Sequence, residues 1–125
     1  MISQPLVLVI DDDADIRLSI ADALCESDYR VEEASHGASA LALLRSGLRP
    51  SLILLDLMMP VMGGEEFREH QMRDPVLAAI PVVVLTAGGP IVPILDGVSG
   101  WLVKPIHLSD LLSVVKASVS PQSTS

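Results

Sequence analysis

The chain has 125 residues, half of them apolar, with 16 acidic side chains against 8 basic ones and a formal charge of −8. That size suits one domain with a proper core, and so few lysines and arginines argue against a nucleic-acid backbone as partner. A lone cysteine, Cys25, excludes an internal disulfide and a cysteine-built metal site, and no apolar stretch approaches the roughly 18 residues of a membrane span.

The amino terminus lacks a basic segment followed by a long apolar run, so a cytoplasmic protein without membrane attachment is expected. The first apolar run, Leu6 to Ile10, reads as a buried strand and ends in Asp11-Asp12-Asp13. Ile16, Ile20, Ala23 and Leu24 then recur at helical spacing, with Asp13 or Asp15 able to cap the start. Tyr29 to Ala34 is a more polar strand and belongs near a sheet edge, with Tyr29, like Phe67 later, expected in the core. Gly37 leads into a second helix through Ala38, Leu41, Ala42 and Leu44, which Gly47 and Pro50 stop.

Leu52 to Leu55 is the strand around which the rest is arranged. It is apolar throughout, as a strand covered on both faces should be, and it delivers Asp56 before the chain turns through Met58, Met59, Pro60 and Gly63-Gly64. Glu65 to Arg73 follows as a third helix with a thin apolar face, Phe67 and Met72 its main contributors. Ile80 to Leu85 is the fourth strand and ends in Thr86. Gly88, Gly89, Pro90 and Pro93 in the segment after Thr86 leave room for one short, distorted helical turn around Ile91 to Asp96. Gly100 to Val103 makes a short fifth strand before Lys104-Pro105. Leu108, Leu111, Leu112 and Val115 mark the last helix, and a polar tail occupies 120–125 beyond a domain of 1–119.

Strands alternating with helices define an α/β protein with a doubly wound, five-stranded parallel sheet, flavodoxin-like in order 2-1-3-4-5, with helices on both faces. Right-handed crossovers bring all strand ends to one edge, so Asp11, Asp12, Asp56, Thr86 and Lys104 share it. In that order strands one and three are neighbours, and their carboxylates converge. Such a cluster repels itself unless a hard cation relieves it, which points to Mg²⁺ and, through it, to a phosphoryl ligand. Asp56, alone at the end of the central strand, is the candidate nucleophile, while Lys104 offers a charge and Thr86 a hydroxyl to the transferred group. A turn-forming Asp56, a turn-capping Thr86 and a surface Lys104 are the ordinary alternatives.

With these residues in place the chain resembles the receiver domains of two-component response regulators, from VLVIDDDADIR through LILLDLMMPVMGG and VVVLTA to GWLVKPI. The resemblance implies that Asp56 accepts a phosphoryl group from a phosphohistidine on a histidine kinase or histidine phosphotransfer protein. It implies direct Mg²⁺ ligation by Asp12, Asp56 and the Met58 carbonyl, with Asp11 acting mainly through water. Thr86 and Lys104 would engage the phosphoryl oxygens, Trp101 would be the switch aromatic, and the Lys104-Pro105 bond would be cis. Trp101 as a mere packing aromatic is the alternative.

Two departures from the family pattern stand out. The segment between Thr86 and Lys104 is shortened and broken, which bears on how phosphorylation would be signalled to a downstream target protein, and Gly63 and Glu65 replace an acid and an apolar residue. Met58 and Gly88, at positions that in the family govern water access, carry nothing that orients water, so slow self-dephosphorylation is expected. His36, His70 and His107 do not cluster by spacing, and no metal or catalytic role is expected of them. The expected function is therefore a stand-alone phosphorylatable switch and not an enzyme. A Mg²⁺-dependent phosphohydrolase is disfavoured because Met58 stands where a leaving-group acid would be needed, and an unphosphorylated interaction module would have no use for the acid cluster.

Overall fold

The computed structural model describes residues 4–59, 61–88 and 97–119. Five strands pair in parallel: β1 (Leu6–Ile10), β2 (Arg30–Ala34), β3 (Leu52–Asp56), β4 (Val82–Thr86) and β5 (Gly100–Val103), in the order β2-β1-β3-β4-β5. Every residue of β1, β3 and β4 is buried, which is why those segments carry continuous apolar runs, whereas β2 at one edge is largely open to solvent. The helices are α1 (Ala14–Glu26), α2 (Gly37–Arg45), α3 (Gly64–Met72), α4 (Pro75–Ala78) and α5 (Leu108–Ser118).

Because strand side chains alternate between faces, the apolar runs feed two separate cores. Leu8, Ile10, Ile53, Leu55, Val82 and Val84 pack with Leu41 and Leu44 of α2, Phe67 of α3 and Leu77 of α4. Val7, Val9, Leu52, Leu54, Val83 and Leu85 pack with Ile20 and Leu24 of α1 and Leu111 and Val115 of α5. The sheet is thus clamped between two helical layers, and its register sets Ile10 beside Leu55, Asp56 beside Leu85 and Thr86 beside Val103.

Local details refine the sequence expectations. Of the two candidate caps for α1, Asp13 does the capping, accepting from the Asp15 and Ile16 backbone N–H groups. At α2 the cap is His36, whose Nδ1 accepts from Ser39 N–H while Ser39 Oγ accepts from His36 N–H. Tyr29 is only partly buried against the second core, and Cys25 is exposed.

The third helix requires a correction. Phe67 is buried as expected, but Met72 is 52 % exposed, and the buried positions beside Phe67 are Arg68 and Gln71. Polar side chains are tolerated there because they are bonded: Gln71 Nε2 donates to the carbonyls of Leu77 and Ile80, and Arg68 Nη1 donates to Gln71 Oε1. The carbonyls so satisfied belong to α4, a single turn too short to show a hydrophobic period, and to the segment after it. Asp74 caps this turn and Pro75 opens it. The Lys104-Pro105 peptide is cis, as the resemblance implies. Pro60, the distorted turn expected around Ile91 to Asp96 and the tail at 120–125 lie outside the described residues.

Candidate functional site

β1 stops at Ile10, and Asp11 is the first residue past it. Its N–H still donates to Ala34 O of β2 at 3.2 Å, and its Oδ1 accepts from Asp13 N–H at 2.9 Å, so the loop folds back over the end of the strand. Asp11 is fully buried and Asp56, the last residue of β3, is 3 % exposed, while Asp12 faces solvent. One carboxylate oxygen from each of the three lies within 4.8 Å of the others.

Lys104 reaches this cluster from the end of β5. Its backbone N–H donates to Thr86 O at 2.7 Å, prolonging the ladder by one step, and its Nζ lies 3.0 Å from Asp11 Oδ2 and 3.5 Å from Asp56 Oδ2. One ammonium cannot balance the acids. Burial, with repulsion from Asp11 behind it, raises the Asp56 carboxyl from 3.8 to about 6, although Lys104 and the Met58 N–H pull the other way. For Lys104, burial disfavours the charged form, but Asp11 and Asp56 outweigh it, and the net shift is upward.

The remaining residues named from the sequence are placed around this centre. Met58 donates its backbone N–H to Asp56 Oδ1 at 3.3 Å, and its side chain is 77 % exposed. Thr86 closes β4 and is buried, its Oγ1 accepting from Gly88 N–H at 3.1 Å. Trp101 lies on β5 beside Val84 and is half exposed. The histidines are elsewhere: His36 caps α2, His70 lies near Glu66 on α3, and His107 precedes α5.

The cluster fits a hard divalent cation on its own chemistry. Its donors are all carboxylate oxygens, three acids face one ammonium, and the buried Asp11 Oδ2 has the Lys104 charge nearby but no aligned hydrogen-bond partner among the described residues. Sequence reading missed one participant. Arg17, in the first turns of α1, donates from Nη1 to the Asp11 carbonyl at 2.7 Å; only its spacing from the Asp11-Asp12-Asp13 run could have drawn attention to it.

A doubly wound α/β sheet with three acids gathered at the carboxyl ends of β1 and β3, and a lysine reaching them from the edge strand β5, defines a class of protein whose ligands bind at the topological switch point. Within that class the chain belongs to the response regulator receiver domain family, whose model matches residues 7–116. It is 37 % identical over 122 residues to the sensor histidine kinase TmoS of Ectopseudomonas mendocina, covering 94 % of this chain and 12 % of that protein. To the DNA-binding dual master transcriptional regulator RpaA of Synechocystis it is 36 % identical over 117 residues, covering 90 % of this chain and 48 % of the relative. The chain therefore spans about half the length, or less, of these relatives. Among solved structures, the chemotaxis response regulator CheY4 of Vibrio cholerae superposes with a TM-score of 0.81 at 32 % identity, covering 91 % of this chain and 98 % of the other.

Proposed function

We propose that this receiver domain, residues 1–119, is a switch phosphorylated on Asp56 by a phosphohistidine of a histidine kinase or histidine phosphotransfer protein. The observation that carries this reading is the convergence of Asp11, Asp12 and Asp56 with Lys104 Nζ, 3.0 Å from one buried acid and 3.5 Å from another. In the transfer an Asp56 carboxylate oxygen attacks phosphorus, the P–O bond forms as the P–N bond to imidazole breaks, and the imidazole leaves as the transferred group becomes an acyl phosphate. With a carboxyl pKa of about 6, Asp56 is mostly ionised near neutral pH and competent to attack.

Asp12, Asp56 and the Met58 carbonyl would hold Mg²⁺ directly, with Asp11 behind a water. The ion, when bound, offsets charge on the acids and on the incoming phosphoryl oxygens. Lys104 neutralises the opposite side of the transferred group, and the Thr86 hydroxyl, whose oxygen already accepts from Gly88, keeps its proton to donate to a phosphoryl oxygen. Trp101 reports the change on the β5 face to a downstream target protein. The relative RpaA is named as DNA-binding, but the charge of −8 on these 125 residues favours a protein partner for this domain. A phosphohydrolase reading is disfavoured by Met58, which places an apolar, exposed side chain two residues beyond Asp56.

The test is incubation with acetyl phosphate or a phosphohistidine donor, with and without Mg²⁺, followed by intact-mass measurement. A single phosphoryl adduct that requires Mg²⁺ and is absent from Asp56→Asn supports the assignment; an equal adduct on Asp56→Asn removes it. The same sample gives the lifetime. Met58 and Gly88 offer no group to orient water, so the adduct should outlast many minutes near pH 7, and loss within seconds would refute that part.

A further inference from the structure

Where β1 ends, the Asp11 peptide has lost half of its strand partners. Its N–H is still held by Ala34 of β2, but its carbonyl, on the same side of the strand, lies beyond the last pairing of β1 with β2, Ile10 with Ala34. Arg17 supplies the missing donor. Its Nη1 donates to Asp11 O at 2.7 Å, and its Nε donates at 3.0 Å to Glu33 Oε1, on the β2 residue paired with Val9. The Arg17 side chain is 18 % exposed, and its one guanidinium links the first helix to the acidic loop, where the contact is partly buried, and to the edge strand, where it is open to water.

The Asp11 carbonyl belongs to the planar unit that joins Asp11 to Asp12. Fixing that plane fixes the direction in which the Asp12 Cα leaves it, and the Asp11 side chain is fixed in turn by the Asp13 N–H on its Oδ1. We infer that Arg17 is a positioning residue for the acidic pocket, holding the Asp11–Asp12 peptide so that both carboxylates aim at the cation position beside Asp56. This rests on the reading of the cluster as a Mg²⁺ site. Arg17 touches neither the reacting carboxylate nor any proposed ligand atom; it acts through the backbone. Its planar fork reaches two acceptors in fixed directions, whereas a lysine ammonium at the same place keeps the charge but not the two-point grip.

The experiment compares the native chain with Arg17→Lys and Arg17→Gln in the absence of any phosphoryl donor. Mg²⁺ affinity is read by calorimetric titration, and amide exchange of Asp11 and Asp13 is read by NMR in metal-free protein. Loss of a side chain that orients metal ligands weakens binding by about tenfold or more. We expect a loss of that size for Arg17→Gln, a loss closer to it than to native for Arg17→Lys, and faster exchange at both amides in both variants. Native affinity in Arg17→Lys would assign the effect to charge and overturn positioning; native exchange rates in both variants would overturn it as well. If Arg17→Gln fails to fold, Arg17→Lys carries the comparison alone. Absence of Mg²⁺ binding by the native chain defeats the proposed function, and the metal-free exchange rates then still decide whether the clamp exists.

Discussion

Asp56 carries a charge that the fold opposes. Burial and Asp11 raise its carboxyl from 3.8 to about 6, so between those values the folded chain holds a proton that the unfolded chain has released. Stability from this group is therefore fully present below about pH 4 and is lost as pH rises through about 6. In metal-free buffer, thermal unfolding should shift to higher temperature as pH falls from about 7.5 to about 5. Asp56→Asn removes the charge at neutral pH, and we expect it to stabilise the metal-free protein by on the order of 2 kcal/mol and to flatten the pH profile. Matching profiles for the two proteins would show that Asp56 ionises without strain. Lys104 is the counterweight: its shift is upward, so it stays charged across this whole range and contributes no slope of its own.

At the scale of elements, the site depends on how closely α3 returns to the strand that delivers Asp56. A Cβ on Gly64, the first residue of α3, would lie 2.8 Å from the Asp56 carbonyl oxygen and 2.9 Å from the Leu57 Cα, both backbone atoms that cannot step aside. Gly64→Ala should thus push α3 outward, lowering stability in chemical denaturation by about 2 kcal/mol and weakening Mg²⁺ binding with it. Unchanged stability would mean the turn has slack that the distances deny. Such tightness shows what can be read from a chain and what cannot. The runs Leu6 to Ile10 and Leu52 to Leu55 announce buried strands because only a sheet covered on both faces needs them, and the acids behind them follow from topology. The caps were partly open, since Asp13 and Asp15 both suit α1, and which one bonds is decided by backbone geometry. In α3 hydrophobicity does not measure burial. Arg68 and Gln71 go inside since the carbonyls of Leu77 and Ile80 wait there, and these depend on a single turn whose Asp74-Pro75 start is a helix-opening signal too short for periodicity to register. Arg17 escaped for a related reason: its partner is a backbone oxygen, to which no side-chain pattern points.

For the molecule as a whole, the pocket exists only when β1, β3 and β5 lie in register, since Asp11, Asp56 and Lys104 are far apart in the unfolded chain. A cation bound there is bound to the folded state alone and must stabilise it by mass action, about 1.4 kcal/mol at ten times its dissociation constant. For a domain of this size that is a rise of several degrees in unfolding temperature. The increment should itself depend on pH, because Mg²⁺ competes with the proton that Asp56 holds below about 6. At fixed Mg²⁺ we expect the rise to be largest near pH 7.5 and to fade toward pH 5, so that added metal cancels much of the falling stability seen without it. Asp56→Asn should show a smaller increment with little pH dependence. Scanning calorimetry at several pH values, with and without Mg²⁺, checks both. An increment equal at pH 5 and pH 7.5, or equal in Asp56→Asn, would place the ion somewhere other than between the first and third strands.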